Sequence, residues 1–322
     1  MLRSLAALLL LWQAARPAEL LRLEASVDAM GTTFSLVLYG DNRDGLEFAA
    51  EAAFEEARRL DHLLSHYRPD SEWSEVNRFA AQRPVKLTPE LFRLLAACLD
   101  YSRASEGAFD LSVGPLMKVW GFYQGSGRLP AKAEVAQALQ QVGYRHLLLD
   151  AAARTVRFAR PGLALDPGGI GKGYAVDRMV ETLLETGVTS ALVSAGGSSI
   201  YGLGSPGAES DGWLVKIRDP KDSSRTVEEL RLKNLSLSTS GAYEKFFVAG
   251  GRIHSHIMDP RTGYPAQGML AVSVVAPKTI DSEAWTKPFF ILGRQWAARN
   301  QPKDLRVFLC EDKAGTTCTW LP

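Results

Sequence analysis

Neither sign of charge is in excess in this chain. Its 37 lysines and arginines stand against 36 aspartates and glutamates, leaving a formal net charge of +1. That balance excludes a general electrostatic attraction to nucleic acid or to an anionic membrane surface. No repeat at solenoid period, no low-complexity tract and no long charge block interrupts the chain. No Pro/Gly/Ser-rich linker divides it, so its 322 residues are expected to form one compact unit. Cysteine is scarce, with three in all. Cys98 sits in an amphipathic helical stretch and reads as a small core residue. Cys310 and Cys318 flank the turn-rich EDKAGTT between two β-like runs, where facing positions could close a disulfide in an oxidising compartment. Beyond this pair no other cysteine or histidine lies close in sequence, which argues against a metal site there.

The N-terminus differs in kind. Arg3 precedes an apolar stretch, Leu5 to Trp12, followed by small residues and a turn around Ala14–Ala18. The stretch is too short to cross a bilayer as a stable helix, and residues 1–18 read as a secretory signal peptide. The mature chain, residues 19–322, is expected to begin near Glu19 and to work outside the cytoplasm, in the periplasm. With no cysteine near the cleavage site, no lipid anchor is expected, nor any transmembrane anchor after cleavage.

The richest segment runs from Asp166 to Gly202. A buried run ends in Asp166, a glycine loop carries Lys172, and a helix, a strand and the Gly196-Gly197 pair follow. A glycine loop opening onto a helix offers unblocked N–H groups and the positive end of the helix dipole, as a diphosphate requires. Taken alone, it fits a tight strand-to-helix turn equally well. It is not the nucleoside triphosphatase P-loop, which needs Ser or Thr after its lysine where this chain has Gly173. Nor does it fit the G-x-G-x-x-G dinucleotide fingerprint.

Along the chain, Leu23 to Tyr39 alternates as strands broken at Met30-Gly31-Thr32, and Leu46 to Leu64 has helical spacing. A helix from Thr88-Pro89 to about Ser105 ends near Gly107, and another spans Ala131 to Val142. Leu147–Asp150 and Thr155–Ala159 read as a hairpin. A helix follows from Gly173 to Thr186, then a strand at Ala191–Ser194. Later strands are expected at Trp213–Arg218, Glu229–Leu237, Ala271–Ala276, Leu305–Cys310 and Thr317–Leu321. Ser282 to Leu292 starts as a helix that Pro288 disturbs. Without strict βαβ alternation the class is α+β.

Several polar islands accompany the glycine segment. They are Met30-Gly31-Thr32, Ser65–Ser71 ending in Asn77, Gly107–Asp110 leading to Gly114-Pro115-Leu116 and Trp120-Gly121-Phe122, Thr239–Glu244, and His254–Gly263. In this order, and most specifically through DPGGIGKGYAVD, TSGAYE and HIMDPRTG, they resemble the ApbE-type FAD:protein FMN transferases from about Met30 to Gly293. The resemblance implies an ApbE-like, T-fold-related α+β unit, two-lobed, with mixed or antiparallel sheets and packed helices. It implies FAD in a groove between the lobes, a magnesium ion, and transfer of FMN to a Thr or Ser of a partner protein with AMP leaving. Acceptors of the family are typically subunits of extracytoplasmic or membrane redox complexes.

Carried over by position, Met30 and Tyr67 are expected to line the flavin or adenine site. Ala108, Phe109 and Asp110 form another wall, with Asp110 available to hydrogen-bond FAD. Asp166 and Lys172 meet the ligand's polar groups, and His256 and Ile257 lie near the reacting diphosphate. His256 is the candidate general base, Asp259 its possible orienter, and Lys172 a further catalytic cation. The Gly169 carbonyl matches a magnesium ligand.

At the last metal motif the sequence departs from the family. Glu283 falls at the usual aspartate, and Lys287 at the usual threonine, where a charged lysine cannot ligate. Three readings stand. Lys287 replaces part of the magnesium charge; Asp281 and Thr286 shift into the ligand positions; or the site has decayed, leaving an FAD-binding protein without activity. FAD hydrolysis to FMN and AMP is the alternative reaction for the same groove.

Overall fold

The computed structural model describes residues 20–125, 127–207, 209–312 and 315–322. The expected signal peptide, residues 1–18, lies outside the described residues. An eight-stranded sheet organises the rest, in the order Leu21–Ala29, Thr32–Gly40, Ala191–Ala195, Ser199–Leu203, Leu235–Gly241, Met269–Ala276, Arg306–Asp312 and Thr316–Trp320. Spatial order follows chain order, and every neighbouring pair is antiparallel. The first hairpin turns at Met30 and Gly31, both at positive φ (53° and 69°), as a two-residue turn between twisted strands requires. Met30 tolerates that conformation with its N–H given to Asp61 Oδ1 at 3.0 Å.

Seven helices are described: α1 (Arg43–Leu64), α2 (Glu72–Phe79), α3 (Pro89–Ala104), α4 (Gly114–Val119), α5 (Lys132–Leu139), α6 (Gly171–Glu185) and α7 (Thr279–Asn300). Helix α1 buries Leu46, Ala50, Ala53, Phe54, Ala57 and Leu60 in a core shared with α6 and the first strands of the sheet. The strand Met269–Ala276 is apolar on both sides because both are covered. Val272, Val274 and Ala276 share a core with α7, while Ala271 and Val275 share one with the hairpin Trp213–Arg218/Thr226–Leu232. A second body joins α2, α3 and the small sheet of Val85–Lys86, Thr155–Phe158 and Leu147–Asp150 around Trp73, Leu91, Leu95 and Val156. Met30, Leu63 and Tyr174 pack against the cores of both bodies. No described helix is long and apolar enough to cross a membrane.

The architecture is α+β, as expected, and Thr88 caps α3 as its sequence demands, accepting from the Leu91 N–H. Cys310 and Cys318 face each other in the terminal hairpin and form a disulfide, while Cys98 is buried and free. Two expectations are corrected. Glu229–Leu237 is not one strand: Thr226–Leu232 and Leu235–Gly241 belong to different sheets. Asn234 turns the chain between them at φ 53°, and its Oδ1 accepts from the Gly204 N–H. Nor does Pro288 end its helix. Buried with Trp285, Phe289 and Phe290, it lies inside α7, and the break comes at Gly293 (φ 75°, ψ −178°), a conformation open to glycine.

Candidate active site

Asp166 is placed by the backbone on either side of it. Trp73 Nε1 and Asn77 Nδ2 both donate to the Leu165 carbonyl, at 3.0 and 2.9 Å, and Asn77 Oδ1 accepts from the Leu165 N–H at 2.7 Å. The Asp166 N–H goes to the Leu111 carbonyl. The buried Asp166 carboxylate then accepts from the Gly168 N–H at 2.6 Å and from the Tyr123 hydroxyl at 2.7 Å. It therefore shapes the Pro167–Gly169 turn from below. A turn held this way leads straight into α6, whose first residue is Gly171, two positions earlier than its sequence suggests.

Helix α7 lies across that N-terminus. Glu283, 2 % exposed, accepts the Gly173 N–H on Oε2 in a very short contact. The approach demands glycine, because a Cβ at position 173 would stand 2.5 Å from the Thr279 carbonyl oxygen. One turn along α7, Lys287 donates to the Glu283 carbonyl at 3.1 Å, and its Nζ is 4.0 Å from Glu283 Oε1. A Cβ on Gly169 would stand 3.5 Å from Lys287 Cε, so the lysine stem lies over the glycine turn. Burial pulls the Lys287 pKa down to about 8, with Glu283 opposing the shift. Asp281 and Thr286 are engaged elsewhere: Asp281 accepts from the Tyr101 hydroxyl at 2.5 Å, and the Thr286 hydroxyl is bonded to Ser240 and to the Glu283 carbonyl. Both members of this pair are therefore tied to groups of the protein itself.

His256 faces the same cleft from the loop after the hairpin Phe246–Ala249/Arg252–Ser255. Its Nδ1 is 3.1 Å from the Lys245 carbonyl. A carbonyl only accepts, so the proton sits on Nδ1 and Nε2 keeps its lone pair. Burial pulls its pKa down to about 4; the Lys245 carbonyl opposes that, while Lys287, Lys245 and Lys172 add to it. Asp259 does not orient this ring, contrary to expectation. Its two oxygens take the Arg261 side chain and the Arg261 N–H. A carboxylate two residues before an arginine in a tight turn closes on that neighbour first.

The cleft, a cavity of about 90 Å³ partly open to solvent, is lined by Ala108, Phe109, Asp110, Asp166, Gly169, His256, Ile257 and Lys287 among others. These are eight of the residues picked out in the sequence. Asp110, however, is not available as expected. Its carboxylate accepts from the Ser112 N–H and hydroxyl and from the Tyr144 N–H, so it caps its own loop, while burial pushes its pKa up. Met30, Tyr67 and Lys172 do not line the cleft. Met30 packs with its methyl against Gly171. Tyr67, 68 % exposed, lies against His66 with the two rings tilted by 40°, and the His66 ring also contacts Tyr123. Lys172, in the first turn of α6, donates to the Ser198 hydroxyl in a very short contact. Sequence reasoning missed Tyr123, Ser198, Met117 and Met258. Ser198 lies in the glycine segment and the other three in or beside flagged islands, and their small polar, apolar or aromatic character gave no sign of a role.

The family model described as "ApbE family" matches residues 30–309. A protein of Klebsiella pneumoniae named FAD:protein FMN transferase is 32 % identical over 291 residues, covering 88 % of either chain. One of the same name from Treponema pallidum is 34 % identical over 282 residues, covering 82 % of this chain and 78 % of its own. Among solved structures, the ApbE protein of Thermotoga maritima superposes with a TM-score of 0.84 at 28 % identity, covering 93 % of this chain and 96 % of that one. The apo form of the flavinyl transferase ApbE of Pseudomonas stutzeri gives 0.82 at 28 % identity, covering 94 and 95 %. With the family match spanning most of its length, this chain belongs to the ApbE family.

Proposed function

We propose that the chain transfers FMN from FAD to a Thr or Ser hydroxyl of an acceptor protein, with release of AMP. The acceptor is a redox-complex subunit or flavoprotein outside the cytoplasm or at a membrane. The observation that carries the reading is the shared wall of the cleft, where the open Nε2 of His256 and the Lys287 ammonium stand with the Gly168-Gly169 turn. In the reaction the acceptor oxygen bonds to the FMN-side phosphorus, the bond from that phosphorus to the AMP oxygen breaks, and the hydroxyl proton passes to His256 Nε2. A dianionic ligand beside the imidazole favours its protonated form and so strengthens the base that burial weakens.

Magnesium, implied by the resemblance, does not fit the residues present. Of the positions implied for it, one carries an ammonium, and the carboxylate of another gives one oxygen to the Gly173 N–H and turns the other toward that ammonium. Among the described residues no group of three or more His, Cys, Asp or Glu side chains could hold a metal ion. No step is routed through a metal here.

Export is part of the proposal: residues 1–18 act as the signal peptide and residues 19–322 as the transferase in the periplasm. The Cys310–Cys318 disulfide supports it, since such bonds persist in oxidising compartments. The test is incubation with FAD and an acceptor carrying a Thr flavinylation motif, followed by mass analysis. Acceptor gaining one FMN is expected. FMN and AMP released with the acceptor unlabelled identify hydrolysis instead, and FAD bound but unconsumed identifies a carrier. His256→Ala is expected to bind FAD normally and to slow transfer by roughly 10²–10⁴-fold; near wild-type transfer removes His256 from the base role.

A further inference from the structure

The three positions implied for a metal converge on one ammonium. Lys287 crosses the Gly169 turn, donates to the Glu283 carbonyl and lies 4.0 Å from Glu283 Oε1, while lining the cleft with Asp166 and His256. An ammonium has three donors. One is used on its own helix, and the carbonyl that takes it fixes the Nζ position. A divalent cation at that point would meet a fixed positive charge and would have to displace it from beside Glu283 Oε1. Asp281 and Thr286, the nearby oxygens that could replace Glu283, are bonded to Tyr101 and Ser240. The site is built around a cation, and the cation is covalent.

We propose that Lys287 is the resident counter-cation of this enzyme: its ammonium pairs with the diphosphate of FAD, and FMN transfer proceeds without a divalent metal. The proposal rests on the FMN-transfer reading of the cleft. While the acceptor oxygen displaces AMP at the FMN-side phosphorus and His256 takes the proton, Lys287 keeps its own protons and offsets charge on the diphosphate oxygens. As a compact point charge held over the Gly169 turn, the ammonium offers its two remaining donors to phosphate oxygens without a fixed coordination geometry.

Binding and transfer are measured separately. FAD is titrated into the full protein after EDTA treatment and again with Mg²⁺, following flavin fluorescence. The two dissociation constants are expected to agree within roughly twofold, and weakening by about tenfold or more in EDTA overturns the proposal. Lys287→Met is expected to weaken FAD binding about tenfold or more in EDTA, and an unchanged affinity overturns it. The wild-type comparison stands even where that variant fails to fold. The double variant Glu283→Asp with Lys287→Thr is expected to bind FAD tighter when Mg²⁺ is added; indifference to magnesium counts against the proposal. Acceptor labelling that requires Mg²⁺ overturns it too. No labelling under either condition sinks the functional reading instead, and the titrations then decide the role of Lys287 alone.

Discussion

Helices α6 and α7 each borrow a carboxylate from the other to hold their N-termini, and the two carboxylates differ in what they have left over. Asp177 of α6 accepts the Thr279 and Ile280 N–H groups of α7, at 2.7 and 2.8 Å, one on each oxygen. Glu283 of α7 accepts the Gly173 N–H of α6 on Oε2 and turns Oε1 toward Lys287, which lines the cleft. Both ends satisfy N–H groups that a helix cannot satisfy by itself. One end is closed, with no oxygen to spare. The other is open, and its spare oxygen steadies a cation. Reciprocal capping thus fixes the two helices rigidly, and the site is built where that fixing leaves a remainder.

The contact that both ends share is Gly173, and substituting it is the largest expected effect. In Gly173→Ala the new Cβ meets the Thr279 carbonyl oxygen at 2.5 Å and Glu283 Cβ at 2.9 Å. Backbone in the first turn of α7 cannot yield without pulling the Asp177 cap apart. A loss of about 3 kcal/mol or more is expected in urea melts. A loss under about 1 kcal/mol would show that the helices slide freely and that the reciprocal caps fix nothing.

Next in size is Asp177→Ala, which orphans two buried N–H groups and is expected to cost roughly 2–3 kcal/mol. Asp177→Asn keeps an acceptor and costs less. It also removes a pH dependence. Burial raises the Asp177 pKa from 3.8 to about 6, against the Thr279 and Ile280 N–H bonds that lower it. A folded pKa above the unfolded one means that the folded state holds this proton more tightly. Its contribution is full below about pH 4 and is lost as pH rises through about 6, a change on the order of 1–3 kcal/mol. Melts of wild type and Asp177→Asn at both ends of that window should therefore diverge at acid pH, with the wild type gaining. Parallel curves would refute the assignment.

Local signals are legible in this sequence, and long-range ones are not. Thr88-Pro89 announced α3 within a residue, because an N-cap and a first-turn proline act on their own helix. The glycines around Lys172 announced a helix N-terminus, because bare backbone is needed wherever another chain segment comes close. Nothing local says that Glu283, 110 residues on, supplies that close approach. For Asp259 the same holds in reverse: its partner is Arg261, two residues away, and the orienter of His256 is a backbone carbonyl, which any residue carries. Pro288 reads as a helix breaker only when the core around Phe289 and Phe290 is left out. Eight of the residues chosen by motif do meet in the cleft. The motif order gave their company; the hydrogen bonds that divide caps from ligands had to be seen.

The smallest effect sharpens the comparison most. Glu283→Gln leaves an amide oxygen to accept the Gly173 N–H, so the α6 terminus stays capped and stability is expected to change by less than about 1 kcal/mol. What disappears is the negative charge 4.0 Å from Lys287. The ammonium then has no competing carboxylate, and a diphosphate entering the cleft no longer meets one. FAD is expected to bind a few-fold tighter, a change of roughly 1 kcal/mol at the effective dielectric of a partly solvated site. Asp177→Asn, the same chemical change at the closed end, is expected to leave FAD affinity as it was. Fluorescence titration of both variants makes the comparison directly. If both shift the affinity alike, or Asp177→Asn shifts it more, the open and closed ends are not distinct, and Glu283 is a structural cap like its counterpart. If only Glu283→Gln does, a carboxylate that holds a helix also sets the charge that FAD meets.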